Sequence, residues 1–251
     1  MFAHIPQPAI FAHRGASAFA PENTLAAFEL AVQLKADAIE LDAKLTADGQ
    51  IVVIHDQSVD RTTNGNGRVG DMKLAQLRQL DAGSHFAPAF QDEHIPTLEE
   101  VFNAVGDKIF INVELTNYAS ITDSLPEKVA DLVRRHHLEE RVMFSSFNPL
   151  ALWKARRRLS EPPIGLLAQA GKPGAWARSW IGRIIGYNSL NPELSDVDLH
   201  LVEYAHRHGK RILVYTVNQA EDMKRMFQLH VDGIFTDDPL LARQILSGNP
   251  R

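Results

Sequence analysis

Carboxylate and histidine side chains occur in this sequence at spacings that matter for chemistry. In Ala38-Ile39-Glu40-Leu41-Asp42, strand alternation would send Glu40 and Asp42 to one face and Ile39 and Leu41 to the other. The run Phe110-Ile111-Asn112-Val113-Glu114-Leu115 repeats the pattern, with Asn112 and Glu114 sharing a face opposite Ile111, Val113 and Leu115. Ionised carboxylates turned into a protein interior are costly unless a cation or strong donors accompany them. Glu114 converging on Glu40 and Asp42 would make a set of three hard oxygen ligands. Such a set suits Mg²⁺ or Ca²⁺ better than Zn²⁺, and Mn²⁺ is compatible with it too.

His13, in Phe11-Ala12-His13-Arg14-Gly15, and His55, in Val53-Ile54-His55-Asp56, end two further apolar runs. Imidazole is the side chain best matched to proton transfer near neutrality, so the two could serve as an acid and a base. A single inward histidine is more often a hydrogen-bonded core group. Two of them beside three carboxylates favour a functional reading. Arg14 adds the planar donor fork that matches phosphate oxygens. The histidines elsewhere show no ligand spacing with one another and are assigned no role.

Positioning these groups requires strands separated by helices. Apolar runs bounded by turn residues lie at 10–13, 38–43, 51–55, 109–115, 142–147, 164–168, 211–217 and 233–236, with a further short run at 188–190. Amphipathic segments separate them, and Asn23-Thr24 is suited to cap the helix carrying Leu25, Phe28 and Val32. The alternation predicts an α/β fold, a (β/α)8 TIM barrel formed by one domain over residues 1–251. A length of 251 residues fits the roughly 250 typical of that architecture. A doubly wound open sheet shares the same alternation. Residues 56–96 break the rhythm with turn signals at Asn64-Gly65-Asn66-Gly67 and a short helical pattern at Met72, Leu74, Leu77 and Leu80. This stretch is expected to be a small subdomain inserted after the second barrel strand region.

Composition removes several function classes. A net charge of -5 with no basic run argues against nucleic acid as a partner. The absence of cysteine excludes thiolate nucleophiles, disulfides and cysteine-held zinc. Residues 1–10 do not carry a basic stretch followed by an apolar one, and a cytoplasmic location is expected. Trp176, Trp180, Ile181, Ile184 and Ile185 form an apolar stripe at helical spacing. Packing over the barrel mouth is its expected role, with contact to a membrane or an acyl chain as the alternative.

His13-Arg14-Gly15 followed by Pro21-Glu22-Asn23-Thr24 resembles the glycerophosphodiester phosphodiesterase family. The resemblance continues through Glu40-Leu41-Asp42, Thr46-Ala47-Asp48-Gly49, His55-Asp56 and Asp60-Arg61-Thr62-Thr63-Asn64-Gly65. It resumes at Ile95-Pro96-Thr97-Leu98, Asn112-Val113-Glu114, Thr216-Val217-Asn218 and the run from Asp232 to Pro239, and so covers nearly the whole chain. It implies a barrel with an inserted subdomain and one divalent cation on Glu40, Asp42 and Glu114. It also implies acid/base chemistry by His13 and His55, phosphate binding by Arg14, and support from Glu22, Asn23 and Asn112. The implied substrate is a small glycerophosphodiester, cut to glycerol 3-phosphate and an alcohol.

Two positions differ from the family's common pattern. Thr116 stands where a lysine is frequent, and Tyr215 replaces a tryptophan at the substrate site. Lys44, on the face of Glu40 and Asp42, is expected to supply part of the missing positive charge as a substrate contact. Two rival readings are lysophospholipase D-type action on membrane lysophospholipids through the Trp176–Ile185 stripe, and a catalytically silent phosphodiester-binding protein.

Overall fold

The computed structural model describes residues 1–248. The strands are β1 (Ala9–Ala12), β2 (Ala38–Leu45), β3 (Ile51–Val53), β4 (Phe110–Leu115), β5 (Val142–Ser146), β6 (Ile164–Ala168), β7 (Ser189–Pro192), β8 (Arg211–Val214) and β9 (Gly233–Thr236). All but β3 pair in parallel in the order β1-β2-β4-β5-β6-β7-β8-β9, and β9 returns to β1, so eight strands close a barrel. Helices α1 (Leu25–Gln33), α3 (Leu98–Val105), α4 (Leu125–Arg135), α5 (Pro149–Arg158), α6 (Trp180–Arg183), α7 (Leu199–Arg207), α8 (Ala220–Gln228) and α9 (Pro239–Leu246) follow successive barrel strands, while α2 (Leu74–Leu77) lies in the inserted segment.

One expected barrel strand is not part of the ring. The run at 51–55 supplies β3, which pairs antiparallel with the end of β2 through Ala43 and Val53. The short link at 46–50, turning at Gly49 with φ 72°, permits only a hairpin, because a parallel crossover needs a dozen or more residues. The vacant place in the ring goes to Ser189–Pro192, which the sequence pattern marks only as a further short run. Its brevity and the polar Ser189 and Asn191, both fully buried and facing inward, hide the apolar signature of a strand.

The outward faces of the strands meet the helices in one core containing Ile39, Leu41, Ile111, Val113, Phe144 and Leu166. Inside the barrel, Phe11 and Phe235 stack with ring centroids 4.7 Å apart, joined by Met143 and Leu213, and form an apolar floor. Polar side chains therefore collect in the layer above, at the carboxyl ends of the strands. Helix entry is fixed locally: Thr24, Thr97, Asp198 and Asp238 each accept a backbone N–H in the first turn of the helix they cap, worth about 1 kcal/mol apiece.

Residues 56–96 leave from β3 and return at α3. They carry a small core of their own, in which Val59, Val69, Leu77, Ala82 and Ile95 pack against Val52 and Ile54. The Trp176–Ile185 stripe departs from expectation: Trp180, Ile181 and Ile184 are 63%, 49% and 73% exposed, so it does not pack over the mouth. The helix there is a single turn, too short to present a continuous buried face.

Candidate active site

The register between β2 and β4 sets Glu40 beside Asn112 and Asp42 beside Glu114. Two carboxylates on alternate positions of one strand therefore meet a third on its neighbour, and carboxylate oxygens of Glu40, Asp42 and Glu114 lie within 4.8 Å of one another. Glu40 and Asp42 are almost fully buried. Burial raises the Glu40 pKa well above the usual carboxylate range, and repulsion from Asp42 and Glu114 adds to it. Glu114 is pushed up to about 8 for the same reasons, burial first and the Asp42 charge next. Each pair of like charges at such a distance repels by about 3 kcal/mol at an effective dielectric of about 20. The three cannot all ionise cheaply without a multivalent positive partner. Their hard oxygen donors fit a divalent cation such as Mg²⁺ or Ca²⁺.

Arg14 is the nearest fixed cation. Its backbone has φ 57°, in the left-handed region, which turns its N–H onto Glu40 Oε2 at 3.0 Å. Gly15 follows with φ 85°, and a Cβ there would stand 2.7 Å from the backbone of Ala27, so glycine alone fits. The Arg14 guanidinium donates to Glu22 Oε1 at 2.9 Å and comes within 3.5 Å of Asp42. Burial works against its charge, but Asp42, Glu22 and Glu40 outweigh that effect and hold its pKa above normal. Asn23 donates to Asp42 Oδ2 at 2.9 Å. Glu22 and Asn23 thus brace the carboxylate layer from the loop after β1.

Both histidines face one cavity of about 260 Å³, which is also lined by Arg14, Glu40, Asn112, Glu114 and Tyr215. The Nδ1 of His13 is 2.7 Å from Asp237 Oδ1, leaving Nε2 4.0 Å from Glu40. The Nδ1 of His55 is 2.6 Å from Asp56 Oδ1. Each Asp can thus hold one ring nitrogen and leave the other to the cavity. Asp56 in turn accepts from Arg61 Nε at 2.7 Å, and the same guanidinium donates to both oxygens of Glu22, at 2.7 and 2.8 Å. Hydrogen bonding to Arg61 lowers the Asp56 pKa to about 2. The pull of Arg61 and Arg14 on Glu22 overcomes burial and holds that carboxyl at about 2 as well.

Lys44 is not at the cavity. Its ammonium donates to Thr116 Oγ1 at 2.6 Å, it is buried, and it borders a separate polar pocket with Gln57 and Arg68. Strand alternation points Lys44 inward correctly. The short Thr116 side chain, itself bonded to the Ala43 carbonyl, then captures its tip. Tyr215 does line the cavity, with its hydroxyl donating to the Ala168 carbonyl at 2.8 Å. Asn112 also lines it, and its side-chain oxygen has no protein partner.

Several contributors carried no advance role. Asp56 and Arg61 sit within the quoted family motifs, but only the fold joins them to Glu22. Asp237 meets His13 across 224 positions of sequence. Tyr118 donates to Glu114 Oε1 at 2.7 Å and accepts from the Phe147 N–H. Size does not select this site: a more open groove of about 610 Å³ is lined by Lys128, Asp131 and Arg134. There Lys128 is spent on the Gly49 carbonyl and Asp131 on Arg158, and no carboxylate cluster accompanies them.

A closed parallel barrel with clustered carboxylates between two aspartate-held histidines, gathered at the end where the barrel strands run out, defines an α/β-barrel enzyme. Comparison with known proteins assigns it more narrowly. Residues 13–241 match the model of the glycerophosphoryl diester phosphodiesterase family, and the chain belongs to that family. A glycerophosphodiester phosphodiesterase of Caldanaerobacter subterraneus subsp. tengcongensis is 44% identical over 231 residues, covering 92% of this chain and 94% of the relative. One from Bacillus altitudinis is 37% identical, covering 94% and 97%. An Oleispira antarctica phosphodiesterase, solved in complex with the product sn-glycerol-3-phosphate, superposes with a TM-score of 0.90 at 29% identity and 98% coverage of both chains.

Proposed function

We propose that this enzyme hydrolyses glycerophosphodiesters to glycerol 3-phosphate and an alcohol, with one divalent cation on Glu40, Asp42 and Glu114 and with His13 and His55 as the acid/base pair. The observation that carries the reading is the convergence of three carboxylates in a cavity shared by two histidines, each with an aspartate on Nδ1. The cation supplies charge neutralisation for phosphoryl oxygens. Arg14 binds and orients the phosphate from the same side. One histidine takes the proton of the attacking oxygen, from water or from a glycerol hydroxyl, as that oxygen bonds to phosphorus; where the glycerol hydroxyl attacks, water then opens the cyclic phosphate to glycerol 3-phosphate. The other donates a proton to the departing alcohol oxygen as its bond to phosphorus breaks. Asp237 and Asp56 fix the two rings and stabilise each imidazolium in turn. Phe147, Leu167 and Phe235 limit water on the apolar side of the cavity.

Lys44 enters this reading as a positive charge behind Asp42 and Glu114, without touching substrate. The test is turnover of glycerophosphocholine with and without a chelator, followed by add-back of Mg²⁺, Ca²⁺ and Mn²⁺. Loss of activity on chelation and its return with one of the ions is expected; full activity in the chelator would overturn the cation assignment. A silent phosphodiester-binding protein would instead retain the ligand without releasing choline.

A second reading, alcohol release from lysophospholipids by the same chemistry, is favoured by the exposure of Trp176, Trp180, Ile181 and Ile184.

A further inference from the structure

All three tryptophans of the chain are exposed, and all belong to the βα units that begin with β5 and β6. Trp153 is 54% exposed in the first half of α5, and Trp176 and Trp180 are 37% and 63% exposed after β6. Leu150, Ile181 and Ile184 add exposed apolar surface in the same two units. A fold with an extensive core has no need to leave its largest apolar side chains outside it. Amphipathic indole rings concentrate where one side is apolar and the other wet.

Charge singles out the same stretch. Residues 150–186 hold seven Lys and Arg against a single Glu, in a chain whose net charge is -5. Three of the seven are neutralised elsewhere: Lys154 by Glu127, Arg158 by Asp131 and Arg178 by Asp196. Among the described residues, Arg156, Arg157, Lys172 and Arg183 form no ion pair, although Arg156 donates to Gly186 and Asn188 and Arg183 lies over the Tyr204 ring, which leaves Arg157 and Lys172 as the freest cations. Arg157 lies over the Trp153 ring at 5.3 Å, so an apolar and a cationic group share one position. The segment is continuous with the reaction cavity: Phe147, at the entrance to α5, and Leu167, in β6, form part of the cavity wall.

We infer that the exposed surface of these two βα units, which run from the cavity wall at Phe147 and Leu167, is an interfacial docking surface for an anionic phospholipid bilayer, bringing the enzyme to lipid that carries the phosphodiester. Indole and isoleucine side chains would enter the interfacial zone, and unpaired Arg and Lys would meet lipid phosphates. Since no helix among the described residues is long and apolar enough to cross a membrane, the association is peripheral. Its role in substrate delivery rests on the phosphodiesterase reading above, whereas docking itself needs no turnover.

The test is co-sedimentation of the full chain with vesicles of phosphatidylcholine alone and of phosphatidylcholine with phosphatidylglycerol. Retention roughly tenfold stronger on the anionic vesicles is expected, weakening as salt is raised. The doubly substituted Trp180→Ser, Ile184→Ser protein should lose about tenfold of that retention, and Lys172→Glu a smaller part of it. Both variants should hydrolyse soluble glycerophosphocholine at the wild-type rate, which shows that they fold. Equal retention on both vesicle types, or retention unchanged in the double variant, would overturn the inference. So would a wild-type dimer that becomes a monomer in the double variant, because the patch would then be covered by a second copy. Vesicle retention without any turnover of soluble substrate would leave docking standing and remove the activity reading.

Discussion

The two histidines are held by different means. His13 follows a barrel strand, its side chain is 20% exposed, and its aspartate comes from the far end of the chain, fixed by Asn218 Nδ2 at 2.6 Å. His55 follows the antiparallel β3, is 43% exposed, and leans on its sequence neighbour Asp56. The electrostatics differ as well. No Lys or Arg pairs with Asp237 among the described residues, so His13 is its only cationic partner there, whereas Asp56 shares its charge with Arg61. One arm is rigid and electrostatically strong. The other is local, more exposed and buffered by a cation that also grips Glu22.

The largest expected effect would not separate the arms. His13→Ala and His55→Ala should each reduce kcat by about 10³-fold, and turnover against pH in the wild type should be bell-shaped. Full activity in either variant would remove that histidine from the pair. The aspartates should separate the arms. Asp237→Asn is expected to cost about 100-fold in kcat and Asp56→Asn about 10-fold, because Asp56 divides its charge between His55 and Arg61 while no cation competes for Asp237. Equal losses would show that sharing with Arg61 has no consequence.

The carboxylate layer between the arms offers a test independent of turnover. Without a cation, Glu114 stays protonated up to about 8, against 4.5 in the unfolded chain. The cation-free fold then binds more protons than the unfolded chain between those values. The associated stability is fully present below pH about 4.5 and is lost as pH rises through about 8, a loss of order 5 kcal/mol. Thermal melts in chelator should fall by about 5–10 °C between pH 5 and 8.5, and saturating Mg²⁺ or Ca²⁺ should flatten the slope. Glu114→Gln should flatten it too; an unchanged slope in that variant would refute the assignment.

Arg61→Ala sharpens the contrast on the weaker arm. Turnover should fall about tenfold as Asp56 and Glu22 lose their common anchor. Unchanged turnover would mean that the link from Asp56 through Arg61 to Glu22 has no part in holding His55. The smallest effect is expected at Lys44. Lys44→Met should change KM by no more than about threefold, since its ammonium is bound to Thr116 and does not reach the cavity. A loss of 100-fold would restore it as a direct phosphate contact.

The parts of this site that follow a local period were legible in the residues. Alternation along a strand has a period of two whatever surrounds it, so Glu40 with Asp42, and Asn112 with Glu114, had to share faces. The capping of α1 by Thr24 depends equally on near neighbours. Partners that meet across the barrel were not legible. Asp237 reaches His13 because β9 closes onto β1, and Arg61 reaches Glu22 because the inserted segment folds back over the first loop. Lys44 shows both sides of the division: its face could be read from alternation, but the place of its ammonium depended on Thr116, which adjacent strand pairing brings beside it. Side-chain direction is a property of the strand itself, whereas the partner found in that direction is a property of closure. Closure is fixed by the combined packing of eight strands and their helices, and no single segment encodes it.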